Sequence, residues 1–274
     1  MTVEARSPVL SQFWSRIAVA AVGLPAVIGF LWLGGWWLFV LVMLVALIAL
    51  HELYGMTRSL RPLVLAGYVG TFCALLGAQL GGLGWMLGGF MSTLALAFVL
   101  KGLAETRQPT TVSVATTVLG AAWIGLGLGH LILLRDIPDH ARLAALTVVL
   151  AVFASDTAAY FTGRLFGHHK LAPLTSPAKT WEGFIGGTIV AVLVPFFAFY
   201  RQDFLSIPRS LLLGVVIAAA APLGDLFESA LKRDMDVKDT GTLLAGHGGM
   251  LDRIDSHLFA VVASFYLLAA FGVA

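Results

Sequence analysis

The feature that most constrains the fold is a succession of long apolar segments, which leaves little of the chain for a water-soluble core. A helix needs about 20 residues to cross the hydrocarbon layer. Nine segments approach or reach that length, at roughly 17–33, 36–50, 63–81, 85–100, 113–134, 143–162, 184–200, 210–227 and 257–273. With 59% hydrophobic and 12% charged residues, the composition is unlike that of soluble domains. The sequence predicts an all-α integral membrane protein, a polytopic helical bundle with about nine transmembrane helices.

Lysine and arginine are distributed unevenly between the loops of this nine-span arrangement. The loops on the side of the N-terminus carry 13 of the 17 basic residues: Arg6, Arg16, Arg58, Arg61, Lys101, Arg107, Arg164, Lys170, Lys179, Lys232, Arg233, Lys238 and Arg253. The opposite loops carry Arg135, Arg142, Arg201 and Arg209. Because basic loops stay in the cytoplasm, we expect a cytoplasmic N-terminus and a multi-pass location in the cell (inner) membrane. The basic residues then reflect topology, and no nucleic-acid partner is expected.

Acidic residues divide the chain into two regions. Residues 1–150 contain five of the 15 Asp and Glu residues, and residues 151–274 contain the other ten, mostly beside basic residues. We therefore expect residues 1–150 to form N-terminal membrane helices that serve for anchoring and packing. Residues 151–274 are expected to form the catalytic membrane region, with a polar site that faces the cytoplasm.

The first candidate site residue is Asp156, which lies inside an apolar span about two turns before its basic end at Arg164. A carboxylate inside a membrane span is costly, and such residues usually mark functional sites. The structural alternative is an ion pair with Arg164 or a hydrogen bond between helices. Both interpretations remain open from the sequence.

A polar segment follows, in which Ser176 and Pro177 precede Lys179, Thr180 and a new apolar helix. A loop that enters a helix supplies backbone N–H groups, here accompanied by hydroxyls and a cation, and this combination suits phosphate binding. The neighbouring residues 168–170 are basic, which is also typical of an ordinary cytoplasmic loop.

The third feature is a pair of acid-containing helix segments around Asp225 and Asp252. Asp225, Glu228 and Lys232 share one helical face because they are spaced i, i+3 and i, i+4. Glu228 and Lys232 can form a simple ion pair, whereas Asp225 needs a metal or another helix to compensate its charge. Asp252 and Asp255 follow a Gly-rich turn at a helix onset, and together with Asp225 they could hold Mg²⁺, which prefers carboxylates, water and phosphates.

These motifs carry a specific resemblance. The segment 229–255, SALKRDMDVKDTGTLLAGHGGMLDRID, resembles the signature of the phosphatidate cytidylyltransferases (CDP-diacylglycerol synthases), and the segments SPAKTWEG at 176–183 and SDTAAY at 155–160 are similar to further landmarks of that family. Two positions depart from the family pattern. Ala245 replaces a turn-forming residue, and Ala178 replaces a second lysine that could contact phosphate.

The resemblance implies the reaction of CTP with phosphatidate in the bilayer to give CDP-diacylglycerol and pyrophosphate, with Mg²⁺ as cofactor. A second cation and a homodimer are left open. Catalytic roles are implied for Asp225, Asp252, Asp255, Lys232 and Arg253. Substrate binding is implied for Ser176, Lys179, Thr180, Glu182, Arg233, Lys238, Asp239, His247, Gly248 and Gly249. Metal ligation is implied for Asp225, Asp252 and Asp156.

Two other functions would also use charged residues at a membrane surface. A CTP-dependent lipid kinase of the polyprenol or phytol type would transfer only the γ-phosphate. A cation-coupled transporter would use intramembrane acids such as Asp156, but its acids should cluster near the middle of the bilayer. In this sequence nearly all the acids lie toward one face.

Overall fold

The computed structural model describes residues 23–103, 110–241 and 248–273, and within these ranges the chain is predominantly helical. The helices are α1 (Gly23–Leu33), α2 (Gly35–Met56), α3 (Val64–Leu103), α4 (Thr110–Gly120), α5 (Gly127–Arg135), α6 (Ala141–Phe166), α7 (Trp181–Phe199), α8 (Ile207–Asp234) and α9 (Leu251–Ala270). A 3₁₀ turn (Arg58–Leu60) follows α2, and a π-helical stretch (Ala121–Leu126) joins α4 to α5. The short strands β1 (Lys170–Ala172) and β2 (Ser176–Thr180) form an antiparallel hairpin.

The described part of the chain contains seven helical stretches that are long and apolar enough to cross a membrane. One of them combines α4, the π-helical stretch and α5, and α1 is a shorter apolar helix. The prediction of an all-α polytopic membrane protein is confirmed. The predicted number of nine crossings stays a prediction.

Helix α3 reverses direction in its middle. Gly81 and Gly82 have non-helical backbone angles, and Gly82 has φ of 71°, a value that favours glycine. On either side of this turn the backbone of Gly77 approaches the carbonyl group of Trp85, and Gly89 approaches that of Cys73. The two arms of α3 therefore lie antiparallel, and they correspond to the predicted spans 63–81 and 85–100.

The C-terminal helices form the closely packed part of the bundle. Helix α6 packs along α7, while α8 packs against both α7 and α9. Gly224 of α8 lies directly against the backbone of Asp255 in α9, so that an added Cβ would meet the Asp255 carbonyl oxygen. This contact brings the acidic segments of α8 and α9 together.

The polar residues collect at one end of the bundle because the helices alternate in direction. This end contains the C-terminal ends of α2, α6 and α8 and the N-terminal ends of α7 and α9. Helix α9 begins at Leu251, before the predicted span 257–273, so Asp252 and Asp255 lie in its first two turns.

The division of the chain into two regions at residue 150 stays a prediction. Helix α6 passes through that position without a break.

Candidate active site

A polar cavity of about 800 Å³ opens at this end of the bundle, between α6, α7, α8 and α9. It is the feature that brings most of the predicted site residues together. The predicted site residues that line it are Asp156, Lys179, Thr180, Asp225, Lys232, Asp239, Asp252, Arg253 and Asp255. Glu228 and Arg164 also line it.

Lys232 connects the acids of α8 to those of α9. Its Nζ donates a hydrogen bond of 2.9 Å to Glu228 Oε2 and one of 2.7 Å to Asp252 Oδ1. The predicted Glu228–Lys232 ion pair is therefore confirmed, and Asp252 is a second partner. The Glu228 side chain is only 1% exposed, and Lys232 is the cation that contacts this buried acid.

Asp252 also holds the chain that precedes α9. Its Oδ2 accepts hydrogen bonds from the backbone N–H of Gly249 at 2.7 Å and of Thr240 at 3.1 Å, and from Thr240 Oγ1 at 2.9 Å. Gly248 lies beside the same carboxylate with φ of 73°. Both oxygens of Asp252 are therefore engaged by protein groups, one by the Lys232 cation and one by the loop.

Asp225 is compensated by the β-hairpin. Lys179 of β2 forms an ion pair of 2.6 Å with Asp225 Oδ2, and Ser229 Oγ donates to Asp225 Oδ1 at 3.3 Å. Asp225 is therefore balanced from outside α8, but by a strand of the hairpin rather than by the metal or other helix that the sequence suggests. The adjacent Thr180 caps α7, because its Oγ1 accepts a hydrogen bond from the Gly183 N–H at 3.2 Å.

Asp156 and Asp255 complete the acidic wall of the cavity. They lie close enough to each other and to Asp225 to interact electrostatically. Among the ion pairs of the described residues, none joins Asp156 to Arg164; the Arg164 guanidinium instead donates to the Tyr160 hydroxyl at 2.7 Å. The alternative of an Asp156–Arg164 ion pair is therefore wrong.

The carboxylates of the acidic wall are ligands of the kind that Mg²⁺ prefers, but in the described chain they are not yet grouped around one point. Among residues 23–103, 110–241 and 248–273, no three Asp, Glu, His or Cys side chains already form a group that could hold a metal ion. In the same ranges the buried Glu228 Oε1 has no hydrogen-bond partner. Mg²⁺ usually takes one or two carboxylates and completes its shell with waters and substrate phosphates. One or two of the carboxylates of Asp156, Asp225 and Asp255, which line the same cavity, would meet that requirement.

Several predicted substrate-binding residues lie outside the cavity lining of the described chain: Ser176, Glu182, Arg233, Lys238, Gly248 and Gly249. The Glu182 carboxylate, at the start of α7, pairs with His169 Nδ1 at 2.6 Å. Gly248 and Gly249 adjoin the cavity through Asp252. His247 and the departure at Ala245 are outside the described residues.

Glu52 of α2 lies beside this site and is bonded to the start of α9, although the predicted site residues do not include it. Its side chain is buried, with 6% exposure, and it accepts hydrogen bonds from the backbone N–H groups of Met250 and Leu251. The predicted span 36–50 ends just before Glu52 and assigns it to a loop. A single acid within an apolar helix is the signal that identifies such a residue.

Comparison with known proteins gives consistent matches. The Cytidylyltransferase family model matches residues 14–271. The chain is similar to the phosphatidate cytidylyltransferase of Staphylococcus haemolyticus (36% identity over 255 residues, 90% of this chain and 95% of the relative). It is also similar to that of Staphylococcus saprophyticus (34% over 253 residues, 90% and 95%) and that of Bacillus subtilis (40% over 154 residues, 56% and 57%).

Proposed function

The chain belongs to the cytidylyltransferase family, and from that premise we propose that it transfers the cytidylyl group of CTP to phosphatidate. The products are CDP-diacylglycerol and pyrophosphate. The observation that carries this proposal is the polar cavity, where cations and carboxylates of three helices and a hairpin meet at one end of an apolar bundle. A nucleotide can enter such a site from water, and a lipid headgroup can reach it from the bilayer surface.

The reaction joins two polyanions, so the main task of the protein is to hold them together. An oxygen of the lipid phosphate attacks the α-phosphorus of CTP, and the bond between the α- and β-phosphates breaks. The phosphomonoester is already anionic near neutral pH and needs no strong base. Lys179, Lys232 and Arg253 line the cavity and would neutralise the phosphates, which is the electrostatic contribution expected of such a site.

Asp156, Asp225 and Asp255 would hold Mg²⁺, and Asp252 joins them if Lys232 leaves its Oδ1 for a substrate phosphate. When bound, Mg²⁺ supplies charge neutralisation and polarises the phosphate that is attacked. Lys179 pairs with Asp225 in the structure. Once Asp225 binds Mg²⁺, Lys179 would be released to bind a substrate phosphate.

The proposed topology has nine crossings, with the N-terminus and the cavity in the cytoplasm of a cell whose inner membrane holds the protein. Two observations support it. The α3 arms reverse at Gly81 and Gly82, which raises the seven long helical stretches to eight crossings, and the shorter apolar helix α1 would supply the ninth. In addition, Lys179, Lys232 and Arg253 lie at the cavity end, as the positive-inside rule requires.

One assay tests the proposed activity. Purified protein in micelles receives Mg²⁺, phosphatidate and each labelled NTP in turn, and both pyrophosphate and the lipid product are followed. We expect pyrophosphate release and lipid-linked cytidine with CTP. Transfer of only the γ-phosphate would instead establish a lipid kinase, and an absence of any lipid product would favour a transporter.

A further inference from the structure

We propose that Glu52 is a positioning residue of the active site, which fixes Asp252 by holding the N-terminus of α9. The inference rests on the proposed function, and it assigns a role in the reaction to a helix from the first half of the chain. Glu52 is not among the residues that line the polar cavity in the described chain. It therefore acts through the groups to which it is bonded, without contacting the substrates.

The first argument is the way that Glu52 caps α9. Glu52 Oε1 accepts a hydrogen bond of 2.9 Å from the Met250 N–H, and Oε2 accepts one of 2.8 Å from the Leu251 N–H. The first N–H groups of a helix have no partners within the helix, and an acid at this end interacts favourably with the helix dipole. Within the described residues, the N-cap Met250 makes no side-chain cap of its own. Helix α2 thus provides the cap.

The second argument is the close fit around the Glu52 carboxylate. A Cβ atom added at Gly241 would lie 2.6 Å from Glu52 Oε1, and one added at Gly249 would lie 2.5 Å from Oε2. Both distances are shorter than a normal van der Waals contact. Glycine at these positions lets the backbone on both sides of the carboxylate approach it directly.

The third argument is the connection to Asp252. Thr240 Oγ1 lies between the two carboxylates, 3.4 Å from Glu52 Oε2 and 2.9 Å from Asp252 Oδ2. Residues 249–251 are bonded to both acids, because Gly249 donates to Asp252 while Met250 and Leu251 donate to Glu52. A shift of Glu52 therefore moves the segment that orients Asp252 toward Lys232.

The principal test is the Glu52→Gln variant, assayed with CTP and phosphatidate in micelles. The substitution keeps the shape of the side chain but turns one acceptor oxygen into an NH₂ group that faces a backbone donor. We expect kcat to fall about tenfold to a hundredfold, as displacement of a catalytic group by about 1 Å can produce. The KM values should change less, because Lys179 and Arg253 remain in place. Glu52→Asp, which retains the acceptors, should recover part of kcat.

Two matched controls separate positioning from stability. Tyr54→Phe removes a buried hydrogen bond of 2.8 Å from the same helix to the Thr117 carbonyl, and it should lower the melting temperature without lowering kcat. If Glu52→Gln does not fold, Gly241→Ala is the alternative variant. It keeps glutamate at position 52 but pushes its carboxylate aside with the added methyl group. Gly55→Ala, where an added Cβ meets no atom within 4 Å, is its control.

The expected result is a loss of kcat in the Glu52→Gln and Gly241→Ala variants but not in the Tyr54→Phe and Gly55→Ala variants. The proposal is overturned if Glu52→Gln lowers the melting temperature while kcat per folded protein stays at the wild-type value. It is also overturned if Tyr54→Phe loses kcat to the same extent. Wild-type protein that produces no lipid-linked cytidine would refute the proposed function itself, which is a different outcome.

Discussion

Two charged segments flank the polar cavity, and they use their charges in different ways. In the β1–β2 hairpin, Lys179 pairs with Asp225 in the cavity, while Glu182 at the start of α7 pairs with His169, which precedes β1. In the junction between α8 and α9, Lys232 and Asp252 are bonded to each other and to buried groups. Similar residue types therefore pair across the cavity in one place and hold the local backbone in another. The direction of each side chain, more than the density of charge along the sequence, determines its role.

The largest effect is expected in the junction, from Asp252→Asn. The amide keeps the size of the side chain but removes the charge that pairs with Lys232, and we expect turnover to fall by about a thousandfold while the protein still inserts and folds. The measurement is lipid-linked cytidine per amount of folded protein. Asp203→Asn, in the loop between α7 and α8, is the matched control. Full activity of Asp252→Asn would show that this carboxylate is not part of the reaction.

The hairpin provides the second comparison. Lys179→Met removes the cation that balances Asp225 in the cavity, whereas Lys170→Met removes an exposed cation from the partner strand. We expect the first variant to lose activity by about a hundredfold and the second to remain close to wild type. Equal losses in initial-rate assays of the two variants would show that the hairpin acts through its total charge.

The contact between α8 and α9 is tested by Gly224→Ala. The added methyl group meets the carbonyl group of Asp255 and the Cα of Ser256, the latter at 3.1 Å. The two helices must therefore separate. Overpacking of this kind costs about 1–3 kcal/mol, and thermal unfolding in detergent should show the destabilisation. Gly88→Ala adds a methyl group where no atom lies within 4 Å, and it should leave the melting temperature unchanged. A melting temperature unchanged in Gly224→Ala would mean that this contact is looser than the structure shows.

The smallest effect is expected from Glu182→Gln in the first turn of α7. Its partner His169 has 80% of its side chain exposed, and exposed ion pairs contribute little to stability. Activity should therefore stay near the wild-type value in the cytidylyl-transfer assay. A marked increase in KM for CTP would instead support the predicted role of Glu182 in substrate binding.

Much of the fold is predictable from the sequence because apolar length and basic loops are local properties. The helical class follows from them, as does the shared face of Asp225, Glu228 and Lys232. The Lys179–Asp225 pair is not predictable in the same way, since its partners are brought together by packing between a hairpin and α8. The sequence indicates that Asp225 needs a partner, but not which residue supplies it.

The remaining differences between the predicted spans and the structure concern where helices α2 and α9 begin and end. Apolarity alone places the end of the second span at residue 50, but α2 continues to Met56 because the buried Glu52 is satisfied by α9. In the same way, α9 starts at Leu251, earlier than its apolar stretch. Polar residues extend both helices where tertiary hydrogen bonds replace contact with water.

The hydrogen bonds of Glu52 have a consequence for biosynthesis. Its partner Met250 lies 198 residues further along the chain, and at about 5–20 residues per second a ribosome needs roughly 10–40 s to reach it. During that interval Glu52 lacks the hydrogen bonds that Met250 and Leu251 later donate to it. A nascent chain interrupted before Thr240 leaves this carboxylate without those donors.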